Sequence, residues 1–287
     1  MAEPRTHPNY GRSIVSVALV LFLLGFFGLL LLQARELVAL LKEEINLIVE
    51  VNDSALEEDK EQLSKYLGAS PMVKQGSLRF ISKEEGIQLL RDDFGEDFLE
   101  VGLPNPLYDV FVFNVKAEYM NSDSLAQIRM RLKEKWAPIS DVYYQRGLID
   151  TLSKNLRRIG WVSLGISIFF VFVASVLIHN TIRLALFSNR FVIKTQELVG
   201  ASWEFIAKPF LVRSIWNGLL SGLLGIALLN ALLWLAEQEI PELKELHHWP
   251  NILALFGVLL FAGVLINLSS TYYVVNKYLK MRVDDLY

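Results

Sequence analysis

The chain has 287 residues, of which 53% are hydrophobic, no cysteine, and a formal net charge of −3 from 28 Lys and Arg against 31 Asp and Glu. The lack of cysteine excludes disulfide staples, thiolate metal sites and cysteine nucleophiles. No basic stripe is present that would follow a nucleic-acid backbone, so nucleic acid is not an expected partner.

Residues 1–13 carry Arg5 and Arg12 and lead into an uncharged apolar run at 14–32. A helix rising about 1.5 Å per residue needs about 20 apolar residues to cross a bilayer, so this run is expected to span one. It is too long for a secretory signal core of about 7–15 residues.

Residues 33–158 are acidic and of mixed polarity, and a segment of about 120 residues can bury a core of its own. Residues 45–51 alternate as a half-buried strand does. Ser54 offers an N-cap to a helix bearing Leu56, Leu63 and Leu67, which Gly68 closes. A strand at 77–81 leads to Ser82, with Glu85 three residues on in a capping-box pattern, and a helix carrying Ile87, Leu90 and Phe94 inward. Residues 96–107 hold Phe98, Leu99, Val101 and Leu103, and Pro104 and Pro106 keep the stretch from forming one long helix. Those apolar side chains either form a partner site or fold back onto the domain core. Residues 108–115 read as a strand, Ser122 or Ser124 starts a helix with Leu125, Ile128, Leu132 and Trp136, and 142–144 form a short last strand. The order suits a small α+β sandwich, one sheet covered by helices. Leu148, Leu152 and Leu156 then make an amphipathic helix running into the next span.

Residues 159–179, 215–236 and 252–275 complete a set of four expected spans. Asn267, Ser269, Ser270 and Thr271 in the last read as interhelical hydrogen-bonding groups. Gly218, Gly222 and Gly225 place small residues on the third span, suited either to packing within one subunit or to a dimer seam. The segment 180–214 is rich in Lys and Arg, as are the two ends of the chain. The short connection 237–251 is acidic and includes His247 and His248, read as solvated. Positive charge marks the cytoplasmic side, so both termini, 1–13 and 276–287, are expected there and the domain outside. Arg157 and Arg158, at the outer end of the second span, run against that rule.

Within 180–214, Glu197, Leu198, Val199, Gly200, Ala201 and Ser202 form a tight elbow between two helices. Gly200 suits a helix C-terminus with positive φ, and Ser202 suits the N-cap of the next helix. Such an elbow is either a docking surface for a soluble partner or an ordinary turn. No phosphate-binding loop, paired-His zinc motif or nucleophile elbow occurs, so no catalytic residue, metal site or cofactor is expected.

These segments carry a resemblance. Residues 197–202, then Phe205-Ile206, Pro209-Phe210-Leu211 and Gly218, together with Ile81-Ser82-Lys83-Glu84-Glu85, Phe94-Gly95-Glu96-Asp97, Asn105-Pro106-Leu107 and Val142-Tyr143-Tyr144, resemble the FtsX family of cell-division proteins over the whole chain. Arg213 departs from the family pattern, where many relatives carry an acid. The resemblance implies a four-helix polytopic membrane protein with an α+β extracytoplasmic domain between helices 1 and 2. It also implies a non-transporting, permease-like subunit without enzymatic activity, in the bacterial inner membrane at the division site. Its implied partners are a cytoplasmic FtsE-like ATPase, an extracytoplasmic peptidoglycan hydrolase or its activator, and a second copy of itself in a two-plus-two complex. On this reading residues 197–202 are the ATPase-coupling elbow, and Phe98, Leu99, Val101 and Leu103 are the extracytoplasmic partner site. Related ABC permeases share the elbow, so an alternative is transport of a lipid or lipoprotein. A sensor signalling inward is a third reading.

Overall fold

The structure is a computed structural model and describes residues 10–94, 105, 107–244 and 247–280. It divides into two compact units, Ala34–Arg158 and, together, Met1–Gln33 with Ile159–Tyr287.

In the first unit, β1 (Asn46–Val51), β2 (Arg79–Ile81), β3 (Asp109–Asn114) and β4 (Ile139–Tyr143) form one antiparallel sheet in the order β2-β3-β1-β4. Period-two alternation sends Leu47, Val49 and Val51 of β1, with Phe111 and Phe113 of β3, to one buried face. Helices α2 (Glu57–Gly68) and α4 (Ser122–Lys135) cover that face with Leu63, Leu67, Leu125, Ile128 and Leu132. Burying each such side chain contributes about 1.5–3 kcal/mol. On the other face, among the described residues, Ile48 and Tyr143 remain exposed.

Several local expectations are corrected by backbone hydrogen bonding. Ser54 does not cap α2: its N–H donates to Asn52 Oδ1 at 3.3 Å inside a turn, and Leu56 holds the N-cap position with its N–H donating to Asp59 Oδ2 at 3.2 Å. Leu56 is consequently exposed and lies outside the core. Helix α4 is capped by Asn121, whose Oδ1 accepts from the Ser124 N–H at 2.9 Å, so the cap lies one residue before Ser122 and three before Ser124, the serines expected. Helix α3 (Lys83–Phe94) starts with Ser82 Oγ accepting from the Glu85 N–H, yet Ile87 and Leu90 are only half-buried. Strand β4 begins at Ile139, three residues before the expected start. A register shift opposite Glu50 and Val51 points both Ile139 and Val142 inward, and this bulge breaks the alternation. Ile149, rather than Leu148, enters the domain core from the following helix.

The second unit holds four helices long and apolar enough to cross a membrane. They belong to α1 (Tyr10–Glu43), α5 (Arg146–Ser188), α7 (Trp203–Glu239) and α8 (Trp249–Lys280), with the short α6 (Arg190–Leu198) between α5 and α7. Helices α1 and α5 run 34 and 43 residues, more than a bilayer needs, so each continues past its apolar run into the α+β domain. On α5, Ala174, Ile178, Ile182 and Leu186 repeat every four residues and form a stripe. It packs with Val17 and Leu21 of α1, Ile193 of α6, Ile206 and Ala207 of α7, and Ile266, Val274 and Val275 of α8.

Candidate functional site: the helix elbow and its seam

Helix α6 ends in a Schellman turn. The Gly200 N–H donates to Glu197 O at 3.0 Å and the Ala201 N–H to Gln196 O at 2.9 Å, with Gly200 at φ +81°. A Cβ at Gly200 would meet nothing within 4 Å, so the demand for glycine there comes from backbone conformation alone. Ser202, extended at φ −70° and ψ 155°, caps α7 by accepting from the Phe205 N–H at 3.4 Å. The two turns point the ends of α6 and α7 at each other and divide their side chains. Ile193, Ile206 and Ala207 go to the core, Ala201 and Trp203 pack partly against it, and Leu198 and Val199 stand 76% and 79% exposed. Phe191, Val192 and Phe205 are exposed beside them. Glu197 is half-buried, and Ser202 and Gly200 are exposed. An apolar knuckle held by backbone hydrogen bonds can fill a recess in another protein without first being ordered.

Behind the elbow, the three glycines of α7 contact other helices of the same chain. A Cβ on Gly218 would lie 2.7 Å from the Gly263 carbonyl oxygen of α8, one on Gly222 3.0 Å from Leu260, and one on Gly225 3.2 Å from the Ala18 carbonyl oxygen of α1. Close backbone approach of this kind is how small residues hold helices together in lipid, where apolar side chains gain nothing by leaving their solvent. Gly25, Gly28 and Gly263 extend the same packing and were not singled out by sequence spacing.

The polar residues of α8 behave differently from expectation. Asn267 Nδ2 donates to Gly263 O at 2.8 Å and Ser269 Oγ to Leu265 O at 2.5 Å, both within their own helix. Ser221 of α7 instead bonds between helices, its Oγ donating to Ile14 O of α1 at 3.1 Å. His247 is also corrected: its side chain is buried, with Nδ1 3.2 Å from Glu237 Oε1.

Phe98, Leu99, Val101 and Leu103 lie outside the described residues. The residues flanking them are well tied. Asn105 Nδ2 donates to Lys83 O at 3.0 Å, and Asp109 accepts the Lys83 N–H at 2.9 Å and the Lys60 ammonium at 2.7 Å. Burial pushes the Asp109 carboxyl up, but the bonds from Lys60 and the Lys83 N–H outweigh it and hold the group below the ordinary aspartate range. Lys60 is raised in turn, first by its hydrogen bond to Asp109 and then by Glu57.

Two family models match along the chain: the FtsX extracellular domain over residues 42–156 and the FtsX-like permease C-terminal region over residues 164–279. The chain is 36% identical to the Cell division protein FtsX of Flavobacterium johnsoniae, over 97% of this chain and 95% of that one. The chain belongs to the FtsX family of cell-division proteins. Another FtsX, from Bacillus anthracis, is 26% identical over 94% of this chain and 91% of its own. A crystal structure of extracellular domain 1 of FtsX from S. pneumonie, in complex with undecyl-maltoside, aligns with 34% of this chain and 92% of its own at 21% identity and a TM-score of 0.28. As in the family, the membrane-spanning helices and the extracellular α+β domain lie in one chain, with the domain between helices α1 and α5.

Proposed function

We propose that this FtsX-family chain couples ATP hydrolysis by a cytoplasmic FtsE-like ATPase to activation of a peptidoglycan hydrolase, or of its activator, outside the membrane during cell division. Two copies act within a two-plus-two complex at the division site of the inner membrane, with both termini cytoplasmic. The observation that carries this reading is the elbow: Leu198 and Val199 project from a turn locked by backbone hydrogen bonds, while the adjoining Ile193 and Ile206 are anchored among the membrane helices. Displacement of the knuckle by a moving partner would therefore be passed to α5, α7 and α8, which contribute to the same packed cluster. The apolar lobe bearing Phe98, Leu99, Val101 and Leu103 is the proposed outer partner site.

The test is affinity capture of the full chain from solubilised membranes with the co-purifying proteins identified. An ATPase is expected with the intact chain and is lost with Leu198→Asp combined with Val199→Asp. A cell-wall hydrolase or activator is lost with Phe98→Asp combined with Leu103→Asp while the ATPase remains. Capture of the ATPase unchanged by the elbow substitutions removes the coupling assignment, and recovery of a lipoprotein carrier in place of a hydrolase favours transport.

A further inference from the structure

Lys154, Arg157 and Arg158 fall at i, i+3 and i+4 on α5 and so share one face of that helix. All three are exposed, whereas Leu152, Ser153, Leu156 and Gly160 on the other side are half-buried. After Asp150 the sequence has no acidic residue before Glu197, and the Asp150 carboxylate accepts the Ser122 hydroxyl. None of the three cations enters an ion pair among the described residues. Like charges at these spacings repel, so the face is built for an external anion or carries a cost without one.

A fourth cation lies on the neighbouring helix. Lys42 of α1 donates to Ser153 Oγ of α5 at 2.9 Å. Seven residues before Lys42 on α1, Arg35 is exposed.

The apolar surface that follows gives the depth of this cluster. Trp161 is 68% exposed, three and four residues past Arg158 and Arg157 on the same face, and Ile159, Val162 and Leu164 are exposed beside it. Exposed tryptophan at the start of a lipid-facing apolar run marks the interface, which puts the cations one turn outside the hydrocarbon. From there along the helix the surface offers positive charge and then bare hydrocarbon contact, in the order in which a phospholipid presents its phosphate and its acyl chains.

We propose that Lys154, Arg157 and Arg158 form a binding face for anionic phospholipid headgroups in the leaflet on the side of the α+β domain. These positive charges oppose the usual orientation signal, and their role is to seat the outer end of the α5 span on lipid phosphates. The full-length protein reconstituted in phosphatidylcholine vesicles containing phosphatidylglycerol tests this through spin-labelled lipid of each kind. The wild type is expected to favour the phosphatidylglycerol label. Combined Lys154→Gln, Arg157→Gln and Arg158→Gln substitution lowers that preference by about fivefold per charge, whereas Lys154→Arg, Arg157→Lys and Arg158→Lys together preserve it. Salt suppresses the wild-type preference. An unchanged phosphatidylglycerol preference in the glutamine variant overturns the proposal. So does an unchanged preference accompanied by lost retention on a soluble polyphosphate, which would assign the face to a soluble polyanion. Neither result touches the elbow, so ATPase capture stays an independent measurement.

Discussion

Gly218 of α7 and Gly263 of α8 meet backbone to backbone: a Cβ on the first would sit 2.7 Å from the carbonyl oxygen of the second, and a Cβ on the second 2.9 Å from that of the first. Neither obstacle is a side chain that could swing aside. Gly218→Val therefore has to separate the two helices, at about 1–3 kcal/mol. Thermal unfolding in detergent should show the loss, and Gly257→Ala, where a Cβ meets nothing within 4 Å, should show none.

At the elbow the constraint is one of backbone conformation. Gly200 has open space around it but a φ of +81°. Gly200→Val should strain the turn by about 1–3 kcal/mol and displace Leu198 and Val199 from their locked positions. Gly200→Asn, which tolerates the left-handed region, should retain more function. With both variants present in the membrane at wild-type level, capture of the proposed ATPase partner should fall with valine and hold with asparagine.

Acid should loosen the α+β domain through Asp109 and Asp141. Both carboxyls are held below their ordinary values. For Asp109 the bonds from Lys60 and the Lys83 N–H outweigh burial, and for Asp141 the first cause is the Arg129 guanidinium at 2.8 and 2.7 Å. A depressed carboxyl contributes stability that is fully present above its unfolded-state value and is lost as pH falls toward its lower folded value. Unfolding of the domain followed from neutral pH down past the ordinary carboxylate range should show this decline. Asp109→Asn should flatten it and cost about 1–3 kcal/mol at neutral pH by weakening the partners of Lys60 and the Lys83 N–H.

Phe113 is fully buried at the centre of the sheet, whereas Phe80, 5.0 Å from Phe111 between ring centroids, is largely exposed on the edge strand. Phe113→Ala should cost about 3–5 kcal/mol and Phe80→Ala clearly less. Denaturant midpoints of the two variants compare them directly.

Much of the α+β domain was legible as pattern. Alternation exposed β1, the aromatic and β-branched run at 108–115 exposed β3, and the spacing of Leu125, Ile128 and Leu132 exposed α4, because each signal lies within a single regular element. The misses fall where a neighbouring element intervenes. Strand β4 was found only from Val142 because the bulge at its pairing with Glu50 and Val51 breaks the alternation. Ser54 looked like a cap but was already engaged in a turn with Asn52. At the elbow, Gly200 and Ser202 could be read from the local chemistry of helix ends, but the outward position of Leu198 and Val199 could not, since it depends on which side of α6 the other helices occupy.

The sequence by itself determined the four apolar segments, the domain between the first two, the elbow and the family, because hydrocarbon thickness, backbone periodicity and helix-end geometry act on consecutive residues. Only the tertiary structure decided which neighbour each face meets. It sent Gly218 and Gly222 to α8 and Gly225 to α1, gave an interhelical hydrogen bond to Ser221 and kept that of Asn267 within its own helix, and buried His247 against Glu237. In lipid, where helices associate through shape and hydrogen bonding rather than apolar burial, those pairings depend on contacts between residues tens to hundreds of positions apart, and no local pattern encodes them.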